Sequence, residues 1–308
     1  RDSYKKTFKR GKKLNVGIFG NIQKPEFWKI FPTLTDWLNK NNVEVHLMNN
    51  IIENEFHYLK SNKYQKYNSI IESKDFSKID FLIALGGDGT ILSASRNIGE
   101  YETPIFGVHL GSLGFLAESK VENLYNNLKL ILKNKKNIFP RMIAKAVFNQ
   151  NDKKNKIYAL NDLVINSSGG TRLINCSLFI DGKYITSYSA DGLIIATPTG
   201  STAYNLSAGG PIIAPWLSLF TITPICPHSL SSRPIILSGS SNLKITFPNY
   251  LPLNLSADGQ VNFEIKSGTE LIITKSPHSA NMITLEKNDY FETLRTKMGW
   301  GQKKINIE

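Results

Sequence analysis

Cysteine is scarce in this sequence: Cys176 and Cys226 are the only two and lie far apart. That excludes a disulfide framework and fits free thiols in a reducing compartment. Histidine is scarce too. Its five copies are scattered, none is paired at zinc-ligand spacing, and Cys226-Pro227-His228 could supply at most two ligands, so no protein-held metal is expected. Long apolar runs are missing; none approaches the ~20 residues of a membrane helix, and no membrane partner is expected. Neither the GxxxxGK[ST] segment of P-loop enzymes nor the H-R-D-x-x-x-x-N segment of protein kinases occurs, which sets both classes aside.

Acidic residues are outnumbered, giving a net charge of +12. Residues 1–13, RDSYKKTFKRGKK, hold seven positive charges and one negative, half of that excess. Such a run reads as a solvated, disordered tail, so no nucleic-acid partner is expected. The sequence begins with Arg1 rather than Met. The expected compartment is the cytoplasm, with an organelle left open because a removed targeting segment could have preceded Arg1. At 41% hydrophobic and 20% charged over 308 residues, the composition is globular and long enough for two domains.

The first half alternates. Leu14–Gly20 reads as a strand, and Phe27, Ile30, Phe31, Leu34, Trp37 and Leu38 mark one helical face. Pro32 falls inside that pattern and is expected to kink the helix or delay its start. Val43–Met48 is a second strand, and the polar stretch 53–78 gives no clear signal. Phe81–Leu85 and Pro104–Leu110 are further strands, and Leu124, Leu128, Ile131 and Leu132 line another helix. Strands alternating with helices predict a parallel sheet wrapped by helices over 14–137. From 138 to 275 the rhythm changes to short strands separated by turns such as Asp181-Gly182 and Asp258-Gly259, which predicts a β-rich second domain. Residues 276–308 return to helical spacing at Tyr290, Leu294 and Met298 and are expected to pack back on the first domain.

The most informative stretch is Phe81–Ile91. A buried-strand run ends abruptly in Gly86-Gly87-Asp88-Gly89-Thr90, after which Ile91, Ala94 and Ile98 recur at helical spacing. Glycines let the backbone approach a ligand, and the helix they open attracts phosphate through its free N–H groups. A single carboxylate in the middle suits a different task, acting on a hydroxyl that will receive the phosphoryl group. A second stretch, Asp191 to Gly210, runs from a buried strand into hydroxyls, glycines and Tyr204. It suits a nucleotide, or equally a Gly/Ser-rich connector. Asn161-Asp162 could hold the vicinal hydroxyls of a ribose, although an isolated Asn-Asp reads first as a turn.

Together these segments resemble the ATP-dependent NAD kinases, over residues 80 to 300. The resemblance rests on GGDGT at 86–90, GVHLGSLGFL at 107–116, LNDLVI at 160–165 and DGLIIATPTGSTAYNLSAGGP at 191–211, with TPICPHSLSSRP at 223–234, DGQ at 258–260 and FETLRTKMGWG at 291–301 in support. The GGDG loop alone is shared with 6-phosphofructokinases and with diacylglycerol and sphingosine kinases; the 191–211 block is specific.

The resemblance implies a Rossmann-like α/β first domain, a β-sandwich second domain and a site between them. It implies ATP and NAD as substrates, with a divalent cation, magnesium, accompanying ATP. It makes Asp88 the residue that aligns and deprotonates the 2′-hydroxyl of the adenosine ribose, with Gly86, Gly87, Gly89 and Thr90 shaping its loop and Phe115 against the adenine. Asn161 and Asp162 would contact NAD, Arg172 would face substrate, and Asp191, Thr202, Ala203, Tyr204, Asn205, Ser207 and Gln260 would line the dinucleotide site. The chain departs from the family pattern at His109, where many members carry Asn, at Ala214, which replaces a common His, and at Ser93, where some carry a basic residue. The resemblance and the many short apolar strands with open edges also imply a homo-oligomer, dimer or tetramer, built through the β-rich domain.

Overall fold

In the α/β part of the chain, continuous apolar runs become buried strands and stripes of apolar residues become the helices that cover them. The computed structural model describes residues 13–111, 114–169, 173–248, 252–266, 268–285 and 289–300. The chain divides into two units, an α/β unit that ends at Phe139 and resumes at Asn281, and a β-rich unit spanning Pro140–Ala280.

The α/β unit begins with β1 (Leu14–Gly20), α1 (Pro25–Lys40), β2 (Val43–Met48), α2 (Asn49–Leu59) and β3 (Asn68–Ile70). It continues through β4 (Phe81–Gly86), α3 (Asp88–Ile98), β5 (Ile105–His109), β6 (Ser119–Lys120), α4 (Leu124–Leu132) and β7 (Asn137–Arg141). Its sheet runs β3-β2-β1-β4-β5, followed by the late strand Ala280–Thr284 and β7, with β6 beside β5. β1 pairs in parallel with both β2 and β4, in register Val16↔Val45 and Ile18↔Ile83. The chain therefore winds outward in both directions from β1. In such sheets the crevice at the carboxyl ends of the strands, where the winding reverses, is where ligands bind.

α1 begins with Pro25 and runs unbroken past Pro32 to Lys40, so Pro32 does not delay the start. The proline removes one N–H and costs roughly 3 kcal/mol in a helix interior. Phe27, Phe31, Leu34 and Leu38 are fully buried against the sheet, and each such side chain contributes roughly 1.5–3 kcal/mol, which outweighs that cost. The stretch that gave no sequence signal holds the end of α2, two 3-10 turns (Lys63–Lys66 and Ser73–Lys78) and the short β3. The buried Glu55 ties α2 to the first of these turns by accepting the Tyr64 N–H at 3.0 Å.

The β-rich unit contains two six-stranded sheets. One orders its strands Ile235–Ser238, Leu219–Ile225, Gly192–Ala196, Asp162–Ser167, Leu253–Ala257 and Val261–Ile265; the other runs Lys183–Ala190, Ile174–Ile180, Leu243–Thr246, Leu271–Lys275, Ala144–Gln150 and Lys153–Ala159. Alternation places Leu163, Ile165, Leu193, Ile195 and Leu255 of the first sheet in one core with Phe148, Leu178, Ile245 and Ile273 of the second. This is a β-sandwich. The Asp181-Gly182 hairpin forms as the sequence implies, with φ of +49° and +81°.

Candidate active site

Phe81 to Gly86 is buried at every position, because β4 lies between β1 and β5. The chain emerges at Gly87, which caps α3, and Asp88 is the first residue of that helix. The unsatisfied N–H groups of the first turn make this end attractive to anions. An α-carbon substituent on Gly87 would meet nothing within 4 Å, so the backbone there is open to an approaching ligand.

The carboxylate of Asp88 is not free to swing. Oδ2 accepts the Phe115 N–H at 2.7 Å and Oδ1 accepts the Leu116 N–H at 3.1 Å. Both donors come from the loop after β5, whose Gly114 packs directly on the carboxylate; a Cβ at Gly114 would overlap Asp88 Oδ1 and Cγ. The Gly114 N–H in turn donates to His109 Nε2 at 2.6 Å. His109 is buried at 2% exposure, and its Nδ1 is buried with no partner among the described residues. Burial pushes the His109 imidazole below its ordinary pKa; Asp88 opposes that, and Lys297, Lys120 and Lys24 reinforce it.

Lys24, Gly87, Asp88, His109, Gly111, Gly114 and Lys297 line one recess of about 270 Å³. Lys24 follows β1, Asp88 follows β4 and His109 ends β5, so the recess sits at the reversal of winding. Lys297 arrives from the last described helix, Tyr290–Met298. Two ammonium groups and a helix N-terminus suit phosphates, and the anchored carboxylate suits a hydroxyl beside them.

The β-rich unit gathers a second set. The Asp258 carboxylate accepts the backbone N–H groups of Leu160, Asn161 and Asp162 at 3.1, 2.7 and 3.3 Å. The Asn161 carbonyl accepts from the Thr197 N–H at 2.8 Å, and Gly200 lies so close that a Cβ there would strike the Asn161 backbone. Asn161, Asp162 and the loop carrying Thr202, Ala203, Tyr204 and Asn205 are thereby one construction, with Gln260 in the Asp258 turn. Burial, with a smaller contribution from the Asp258 charge, pushes the Asp162 carboxyl up to about 7. Tyr204 and Ser207 are exposed, and Thr202 and Ala203 half-buried. Asn205 is fully buried and spent internally: Nδ2 donates to the Ser201 and Pro211 carbonyls, and Oδ1 accepts from Thr223 Oγ1 at 2.7 Å. It holds the loop together.

Of the site residues expected from sequence, Gly86, Gly87, Asp88, Gly89, Thr90 and Phe115 meet in the α/β unit. Asn161, Asp162, Thr202, Ala203, Tyr204, Asn205, Ser207 and Gln260 cluster in the β-rich unit. Asp191 is exposed at the opposite end of Gly192–Ala196 from Thr197. Arg172 lies outside the described residues. Sequence reasoning missed Lys24, His109, Gly114, Lys297 and Asp258 as parts of these arrangements. For Asp258 the available signals were the Asp-Gly turn and its place in the DGQ segment at 258–260, neither of which reports what its carboxylate holds.

Comparison with known proteins points to one family. The ATP-NAD kinase N-terminal domain matches residues 16–136 and the ATP-NAD kinase C-terminal domain matches 160–285. An NAD kinase of Syntrophotalea carbinolica is 38% identical over 294 residues, covering 94% of this chain and 99% of that protein. The crystal structure of yeast NADH kinase complexed with NADH superposes with a TM-score of 0.85 at 28% identity, covering 95% of this chain and 89% of that one. An NAD kinase from Archaeoglobus fulgidus in complex with ATP superposes at 0.71 and 26% identity, covering 93% and 99%. With both halves matched and a relative aligned along almost its whole length, the chain belongs to the ATP-NAD kinase family.

Proposed function

We propose that this chain transfers the γ-phosphoryl group of ATP to the 2′-hydroxyl of the adenosine ribose of NAD, releasing ADP and NADP, with Asp88 aligning the hydroxyl and receiving its proton. The observation that carries the role of Asp88 is its place: a carboxylate at the first residue of α3, fixed by two backbone N–H groups, in a recess with Lys24 and Lys297.

The donor phosphates would lie against the α3 N-terminus and the two ammonium groups, which spread the charge of a loosened phosphoryl group. A lone pair of the ribose O2′ forms the new bond to the γ-phosphorus as the bond from that phosphorus to the departing ADP oxygen breaks. The hydroxyl proton passes to Asp88 Oδ1 or Oδ2. Carboxylates are weak bases for sugar hydroxyls, so alignment carries most of the effect and proton transfer comes late. A divalent cation accompanying ATP, magnesium in this reading, would supply further neutralisation of the donor phosphates. Among the described residues no group of three or more His, Cys, Asp or Glu side chains is placed to hold an ion; magnesium typically keeps several waters and binds through substrate phosphates with one or two carboxylates. Asn161, Asp162, Thr202, Tyr204 and Gln260 would contact NAD.

A homo-oligomer, dimer or tetramer, is part of this reading. Ile235–Ser238 is an edge strand with Ile236 half-exposed, and Leu230 nearby is 95% exposed, surface that a second copy would cover. A cytoplasmic setting is supported by the free Cys176 and Cys226 thiols. No helix among the described residues is long and apolar enough to cross a membrane.

The test is a coupled assay of the purified protein with ATP and magnesium, offering NAD, NADH, a diacylglycerol and a sugar phosphate in parallel. NADP formation is expected. Phosphorylation of the lipid or sugar without NADP would overturn the reading.

A further inference from the structure

Among the described residues the Asp88 carboxylate is held by backbone N–H groups, and the N–H just before them donates to a side chain. Phe115 and Leu116 donate their N–H groups to Asp88, and the Gly114 N–H immediately before them donates to His109 Nε2 at 2.6 Å. We propose that His109 is a positioning residue for phosphoryl transfer: its Nε2, acting as acceptor, sets the 114–116 backbone that aims Asp88, and protonation of that nitrogen releases it. The inference rests on the recess being the phosphoryl-transfer site.

The donor fixes the tautomer. A backbone N–H can only donate, so Nε2 carries its lone pair and the imidazole proton sits on Nδ1. That Nδ1 is buried, with no partner among the described residues. The other ring nitrogen makes a short bond to the loop. A second proton on Nε2 would set two N–H groups against each other at 2.6 Å, and the loop would have to move. Gly114 cannot shift unnoticed, because its α-carbon is packed on the Asp88 carboxylate.

The charges around the imidazole come from four directions. Asp88 at the start of α3 favours the protonated form, and Lys297 of the last helix, Lys120 of β6 and Lys24 after β1 oppose it, together with burial. The balance lowers the proton affinity of His109, so the imidazole is neutral at physiological pH and the contact is lost only as pH falls. Donor phosphates arriving beside the same lysines would screen them, which raises the proton affinity of His109 in the loaded enzyme.

The test is kcat for NADP formation from about pH 5 to 8, the range where imidazoles titrate, on wild type, His109→Gln and His109→Leu, with melting temperature as the folding check. Glutamine places an amide oxygen near Nε2 that accepts from Gly114 and does not titrate; leucine accepts nothing. Wild type is expected to lose kcat at the acid end, and His109→Gln to lose that limb while recovering much of the turnover that His109→Leu forfeits. The leucine variant should fall about tenfold or more, since misplacing a reacting group by 1 Å costs up to ~10²-fold. A wild-type profile without an acid limb, the same limb in His109→Gln, or His109→Leu within about twofold of wild type would overturn the inference. Should the leucine variant not fold, wild type against His109→Gln decides alone. Failure of the underlying reading is told apart by Asp88→Asn: full turnover there removes the site, whatever His109 does.

Discussion

Replacing Gly114 by alanine adds one methyl group at the point where the loop after β5 rests on the Asp88 carboxylate. Gly114 does not have a positive φ, so alanine suits the backbone and the effect is steric. The new Cβ would overlap Asp88 Oδ1 and Cγ and stand 2.5 Å from Oδ2, where ordinary contacts are ~3.5–4 Å. Either the carboxylate or the loop must retreat by about an ångström. The Phe115 and Leu116 bonds of 2.7 and 3.1 Å would stretch together, and hydrogen bonds to a charged acceptor contribute roughly 1.5–3 kcal/mol each. Losing most of one of them is a modest cost to stability, a few degrees in melting temperature. The cost to catalysis is larger, because a 1 Å misplacement is worth ~10²-fold in rate. Steady-state kinetics with ATP and NAD should show kcat reduced about a hundredfold, with NAD affinity by calorimetry within about threefold of wild type. A folded Gly114→Ala protein with kcat within about threefold of wild type would refute the claim that this contact aims Asp88.

Asp162 predicts a pH dependence of stability. Its folded pKa, about 7, lies above the ordinary 3.8, so between those values the folded state keeps a proton the unfolded chain has lost, and stability falls as pH rises through that window. Each tenfold change in proton affinity is ~1.4 kcal/mol, so the penalty above pH 7 reaches a few kcal/mol. Asp162→Asn should melt higher than wild type at alkaline pH and alike at acid pH, and equal melting curves throughout would contradict it. Lys24→Ala and Lys297→Ala should each raise the KM for ATP by about tenfold, ~1.4 kcal/mol, more at low ionic strength; an unchanged KM in both would remove the recess as the donor site. Light scattering at micromolar concentration should find a dimer or tetramer, and a stable, active monomer would sink the oligomer.

What could be read from sequence follows from where each contact stores its information. β4 and α3 were legible because burial on both faces of a strand leaves an unbroken apolar run, and the helix after it leaves Ile91, Ala94 and Ile98 in period. Asp88 stood out because a carboxylate among glycines has no packing role. The partners of Asp88 were not legible: Phe115 and Leu116 contribute N–H groups, which every non-proline residue has. His109 stood out only as a departure from the family pattern, and the return of the loop onto Nε2 is what gives it a task. Asp258 was hidden differently, since a hairpin fully accounts for Asp-Gly and nothing local reports that its carboxylate collects three N–H groups from residues 160–162. The 53–78 stretch escaped because its 3-10 turns are too short to show a period, and Pro32 misled because the buried face of α1 outweighs the local break.

The central claim is that Asp88 acts on the hydroxyl during transfer rather than serving to hold NAD. The direct measurement is Asp88→Asn, with the NADP formation rate and the NAD dissociation constant determined on the same folded protein. The amide keeps the size of the carboxylate but cannot take the hydroxyl proton, and loss of a general base typically costs ~10²–10⁴-fold. Turnover should fall within that range while NAD affinity stays within about threefold, because Asn161, Asp162, Thr202 and Tyr204 remain. A fall of less than about tenfold would contradict the role given to Asp88, and loss of NAD binding alongside turnover would make it a ribose anchor, with the proton acceptor elsewhere.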